Sequence, residues 1–171
     1  LLGGSFQDRA AVDQWIDWCN AEMEVPACVL FYPVAGYMTV DDTGKFPKND
    51  PIFDKLILVL KFESLVPFPI VFWYSYRIAK ATADFKNGLQ VLNDCLSKRE
   101  FLVNNQLSLA DIVVVATLVY PFKLVCNETF LAPYDQVVRW FTHCVQRPEF
   151  LAVLGPVEFI KVQIAGRKRC V

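Results

Sequence analysis

The chain has 171 residues, of which 54% are hydrophobic and 20% charged, with a formal net charge of −1. This length and apolar content suit one domain with a sizeable core and exclude a disordered chain. The near-zero charge argues against an electrostatic nucleic-acid binder, and the one basic run, Arg167-Lys168-Arg169, reads as a solvated tail.

In chain order, Ser5-Phe6-Gln7-Asp8 has the form of a helix start. The serine hydroxyl can cap a free backbone N–H, and a carboxylate three residues on can answer from the other side. Val12, Trp15, Ile16, Cys19 and Met23 follow at helical spacing, and Pro26 is expected to kink or end that helix. Pro33 and Gly36 punctuate the next stretch, which reads as a second short helical piece. Phe85, Gly88, Leu89, Leu92 and Leu96 mark an amphipathic helix from about Thr82 to Lys98, with Asp84, Lys86, Asn93 and Asp94 on its other face.

Phe101-Leu102-Val103 is a short apolar connector. Ser108-Leu109-Ala110-Asp111 then repeats the capping pattern, with Leu107 and Ile112 placed to close a hydrophobic staple over it. The negative charge also suits a helix N-terminus. Ile112 to Val119 has no polar face and, by propensity, its β-branched start reads as a strand. The cap and the length to Tyr120 favour a fully buried helix, disturbed by Pro121. Val137, Val138, Phe141, Cys144 and Val145 form the buried face of the next helix, opposite Gln136, Arg139, His143 and Gln146. Pro148 suits the first turn of a last helix and Gly155 its stop. Five or more helices with short loops predict an all-α domain.

Residues 44–78 differ from the rest: they hold none of the thirteen alanines, but four of the ten prolines and five of the fourteen phenylalanines. Neither helical nor strand period runs through them. A long loop with an apolar anchor, a partner-binding insertion and a translated intron are the competing readings. The uncharged run Ser64 to Tyr76 is too short to span a bilayer, which takes about 20 residues as a helix. No secretory signal precedes it, and a first residue of Leu1 reads as a fragment of a longer chain.

The six cysteines, Cys19, Cys28, Cys95, Cys126, Cys144 and Cys170, form no C-x-x-C pair, and with one histidine they make no zinc set of usual spacing. They read as small apolar residues in a reducing compartment. His143 and Cys144 are adjacent, but helix neighbours point about 100° apart, which suits an exposed histidine and a core thiol better than a nucleophile–base pair. Asp111 reads as a cap and not a catalytic carboxylate, and Asp41-Asp42 as a turn and not a cation site. Gly3-Gly4 lacks the strand and spacing of a phosphate loop. Trp15, Trp18 and Trp140 read as core or interface residues.

Three stretches carry a family resemblance. Ala11-Val12-Asp13-Gln14-Trp15-Ile16-Asp17-Trp18 resembles the opening of the helical half of the gamma subunits of eukaryotic translation elongation factor 1. Phe101-Leu102-Val103 with Leu107-Ser108-Leu109-Ala110-Asp111-Ile112 is similar to the buried-helix cap of glutathione-transferase folds. Arg139-Trp140-Phe141-Thr142-His143-Cys144, continuing through Pro148-Glu149-Phe150 to Gly155, resembles a close shared by gamma subunits and by the domain appended to eukaryotic valyl-tRNA synthetases. The resemblance covers residues 3–43 and 79–158 and skips the atypical segment; the ending from Gly166 departs from it.

The resemblance implies a glutathione-transferase C-terminal-like helical bundle over residues 1–158, interrupted by an insert at 44–78 and followed by a tail at 159–171. It implies a cytoplasmic, non-catalytic scaffold that anchors the nucleotide-exchange subunits of elongation factor 1, with aminoacyl-tRNA synthetases as a further partner class. An appended synthetase domain or a fragment of a glutathione transferase is the alternative. No catalytic residue, cofactor, metal, membrane span or direct nucleic-acid contact is expected. Ser108 and Asp111 are the expected structural cap. Arg139, with His143 beside it, is the candidate partner interface, because an arginine on the corresponding helix takes part in docking in related complexes.

Overall fold

A computed structural model describes residues 1–35 and 69–160, with side chains from Arg77 onward in the second part. Helix α1 spans Phe6–Trp18. Ser5 caps it from an extended conformation: its Oγ accepts from Asp8 N at 3.1 Å, and Ser5 N donates back to Asp8 Oδ2 at 3.0 Å. Val12, Cys19 and Met23 are buried, while Trp15 and Ile16 are half-buried against the same core.

The helical run does not end at Pro26. Cys19–Glu24 widens into a π-helical turn, and α-helical geometry resumes as α2, Val25–Ala35. Proline lacks a donor and its ring collides with the carbonyl four residues back. Glu22, at that position, lies in the π turn, whose bonds reach one residue further and absorb the mismatch. Pro33 lies inside α2, and Gly36 is outside the described residues.

Helix α3 spans Pro69–Leu96. It begins well before the expected Thr82, so Pro69–Ile78 of the atypical segment are its first turns. Those residues carry no cap signal and no helical period, which is why the sequence hides them. Residues 44–68, Asp41-Asp42 and residues 161–171 lie outside the described residues. Phe85, Leu89, Leu92 and Leu96 face the core fully buried, and each such side chain contributes about 1.5–3 kcal/mol of burial. Gly88 lets α3 approach the π turn: a Cβ there would lie 2.0 Å from Met23 Sδ.

Helix α4, Leu109–Leu124, packs against α1, the π turn and α2. Ala110, Val114, Val115, Leu118 and Phe122 are buried, so the β-branched run is helical because it is enclosed on most sides. Pro121 sits inside the last turn, and Val125 N and Cys126 N both bond its carbonyl at 2.9 Å as the helix ends. Helix α5, Glu128–Leu131, is capped by Asn127. Helix α6, Asp135–Val145, buries Val137, Trp140, Phe141, Cys144 and Val145 and packs against α3 and α4. Helix α7, Pro148–Leu154, starts on Pro148 and stops at Gly155, whose φ of 65° is the left-handed geometry glycine accepts freely. Phe159 then folds back on Phe122 and Phe141, with ring centroids 5.8 and 5.7 Å away. Among the described residues there is no strand, and the fold is an all-α bundle around α4.

Candidate functional site

The structure is organised around one carboxylate. Asp111, fully buried at the start of α4, accepts four hydrogen bonds. Ser108 N and Ser108 Oγ donate to its Oδ2 at 2.9 and 2.7 Å. Leu102 N and the Trp140 indole Nε1 donate to its Oδ1, both at 3.0 Å. A buried charge is tolerable when its lone pairs are filled by donors. Here the donors come from the α4 cap, the connector after α3 and the inner face of α6, so a single side chain fixes three elements. Ser108 and Asp111 meet within the first turn of α4, while the bonds to Leu102 and Trp140 join residues distant along the chain and carry no local pattern.

A second tie was also hidden in the sequence. Tyr134 precedes α6 and gives it no side-chain cap. Instead Asn93 Oδ1, on α3, accepts from Gln136 N at 3.1 Å and Val137 N at 3.4 Å. The orphan donors of one helix are thus satisfied by a side chain of another. Asn93 has the look of an ordinary residue on the polar side of α3, and no local pattern marks it.

These ties set the outer face of α6 opposite the residues that follow α3. Arg139 and His143 are exposed there and line one surface groove of about 580 Å³ with Lys98, Arg99, Glu100 and Asn105. Arg139 Nη2 donates to Leu96 O and Arg99 Nη1 to Leu102 O, each at 3.4 Å. His143 Nδ1 lies 3.9 Å from Glu100 Oε1, and its ring packs 5.6 Å from that of Phe101. The loop beneath is shaped by Asn104 and Asn105, with φ of 50° and 52°. Asparagine tolerates that left-handed region because its amide bonds locally. Asn105 Oδ1 accepts from Glu100 N at 3.0 Å, and Asn104 Nδ2 donates to Asp8 Oδ1. On its other side Arg139 borders a second, more apolar groove with Leu131, Val138 and Phe159.

Four of the described thiols are held from ionising. Burial, aided by the Asp111 carboxylate and opposed by Arg147, pushes Cys144 up to about 12. Burial alone pushes Cys126 up to about 12. Burial also raises Cys19 and Cys95, and it is the thiolate that reacts. Cys144 is buried while His143 is exposed, so the adjacent pair is split between core and surface. Among the described residues no group of three acidic, histidine or cysteine side chains could hold a metal ion, and no helix is long and apolar enough to cross a membrane. Trp140 is core, and Trp15 and Trp18 meet edge to face, their ring centroids 5.2 Å apart.

Residues 66–148 match the family profile of the glutathione S-transferase C-terminal domain. The elongation factor 1-gamma of Carassius auratus is 33% identical over 158 residues, covering 92% of this chain and 28% of that protein. The valine–tRNA ligase of Takifugu rubripes is 27% identical over 161 residues, covering 94% of this chain and 10% of that protein. Among solved structures, the GST-like domain of elongation factor 1-gamma from Saccharomyces cerevisiae superposes with a TM-score of 0.62 at 14% identity, covering 91% of this chain and 57% of that one. The chain therefore spans under a third of the length of the elongation factor it matches.

Proposed function

We propose, from the premise that this chain carries a glutathione-transferase C-terminal-like bundle and resembles elongation factor 1-gamma, that it is a cytoplasmic, non-catalytic scaffold of translation elongation. In this reading it anchors the nucleotide-exchange subunits of elongation factor 1, and aminoacyl-tRNA synthetases are a second partner class. One observation carries the binding reading: α6 presents an exposed polar stripe with Arg139 and His143, while its inner face is pinned through Trp140 to Asp111. A rigid face loses little conformational entropy on association, which favours docking. The raised thiols supply no competing nucleophile.

The test is co-purification of the protein with purified nucleotide-exchange subunits, wild type against Arg139→Ala. Capture by the wild type and weakened capture by the variant is expected. Capture of no such subunit by the wild type would remove the scaffold, and unchanged capture would remove Arg139 from the interface.

The valine–tRNA ligase similarity over 94% of this chain favours a second reading, a domain appended to a synthetase. A transcript joining this sequence to a nucleotide-binding catalytic core would select it. Retention of the full-length protein on glutathione–agarose, with conjugation activity, would instead select a glutathione transferase.

A further inference from the structure

The geometry points to the groove between the end of α3 and the outer face of α6 as a docking site for an acidic peptide segment of a partner. This rests on the scaffold reading and names the chemistry of what docks.

Lys98, Arg99 and Arg139 set three cations around the groove against one carboxylate, Glu100, on a chain whose net charge is −1. Positive charge is therefore concentrated here against the trend of the whole molecule. Glu100 Oε1 lies 3.9 Å from His143 Nδ1 and pairs with none of the three cations among the described residues. Among the described residues none of those three cations is in an ion pair. Each guanidinium gives one long bond of 3.4 Å to a main-chain carbonyl, Leu96 O or Leu102 O. That contact orients the fork and leaves its other N–H groups for a carboxylate, the group whose planar geometry the fork matches. Asn105 adds an amide at the rim. Unlike a flexible charged surface, the groove is anchored, because Trp140, which lines it, and Leu102, whose carbonyl accepts from Arg99, are both bonded to Asp111.

Size and lining favour a peptide over a nucleic acid. A groove of about 580 Å³ takes a few residues of extended chain. Nucleic-acid binding uses a longer basic track and exposed aromatic platforms, and the groove's one aromatic ring system outside His143, that of Trp140, is only 2% exposed.

The experiment is fluorescence anisotropy of the full chain with a fluorescein-labelled octapeptide rich in Asp and Glu. Its Asn/Gln counterpart and a single-stranded RNA oligonucleotide are run beside it. The acidic peptide should bind, weaken as salt rises, and lose at least about tenfold in affinity to the triple variant Lys98→Gln, Arg99→Gln, Arg139→Gln. Arg9→Gln, on the exposed surface of α1, removes one positive charge elsewhere, the match for each single groove variant, and should leave binding unchanged. If the triple variant loses its fold by circular dichroism, Arg99→Gln and Arg139→Gln are read singly, each with a loss of a few fold. No binding of the acidic peptide, equal binding of the neutral one, wild-type affinity in the variants or tighter binding of the RNA would each overturn the inference. Co-purification of the nucleotide-exchange subunits with the folded triple variant as well as with the wild type would overturn the groove but leave the scaffold standing. Their absence with the wild type would remove the scaffold itself.

Discussion

Asp111→Ala should be the most damaging single substitution in the described part of the protein. It leaves the N–H groups of Leu102 and Ser108 and the Trp140 indole without an acceptor where Asp111 itself is fully buried. Each orphaned buried donor costs about 1–3 kcal/mol, so the simple sum is about 3–9 kcal/mol. Relief from holding a desolvated carboxylate offsets part of this, and breaking a buried charged pair or network measures about 3–5 kcal/mol. Against a total stability of about 5–15 kcal/mol, that brings the domain near unfolding. Asp111→Asn should cost less, since one oxygen still accepts, but its amide would face donors it cannot serve. Urea unfolding followed by circular dichroism measures both, read as a fall in midpoint at constant slope. Trp140→Phe supplies the control: with Asp111→Ala it should show a coupling of about 0.5–3 kcal/mol, because both remove the same bond. A loss under about 1 kcal/mol for Asp111→Ala, or strict additivity with Trp140→Phe, would refute the idea that this carboxylate ties the bundle together.

Asn93→Ala should cost about 0.5–2 kcal/mol as the loss of a helix cap, and hydrogen exchange should localise the loosening to the first turn of α6. At Gly88 two effects oppose: alanine gains about 1 kcal/mol of helix propensity, while a methyl 2.0 Å from Met23 Sδ overpacks the core at about 1–3 kcal/mol. Gly88→Leu removes the ambiguity and should lower the melting temperature by several degrees or prevent folding; an unchanged melting temperature would show that Met23 moves aside freely. The folded protein holds Cys126 and Cys144 as thiols up to about 12, against 9.0 for the free group. Between those values the unfolded chain has released protons that the fold retains, so stability should fall as pH rises from 9 towards 12, and be fully present below 9. Chemical denaturation at a series of pH values checks the sign, and substitution of both cysteines by alanine should flatten the slope.

How far the sequence could be read follows from which signals are local. Ser5 and Asp8, and Ser108 and Asp111, lie three residues apart at the starts of their helices, a spacing short enough to leave a local pattern. That cap, with the length to Tyr120, overrode the strand propensity of Ile112-Val113-Val114-Val115, and the run is helical because α1, α2 and α6 enclose it. The polar stripe of Gln136, Arg139, His143 and Gln146 follows from helical period alone. Pro26 misled because the π turn before it is a tertiary accommodation, with Met23 pressed against Gly88. The start of α3 was hidden because Pro69–Ile78 lack both cap and period. The groove is half legible: helical period sets Arg139 and His143 on one polar stripe, but Lys98, Arg99 and Glu100 reach them only through the fold. Asn93 and the Trp140 indole act across similar sequence distances and leave no local trace.

The proposed role is that of a bundle that binds partners and performs no chemistry. Isothermal titration of the full chain with a purified nucleotide-exchange subunit of elongation factor 1, paired with a glutathione conjugation assay on the same preparation, tests it most directly. Saturable binding that weakens with Arg139→Ala, with no conjugation above the uncatalysed rate, is the predicted result. Conjugation activity without subunit binding would contradict it.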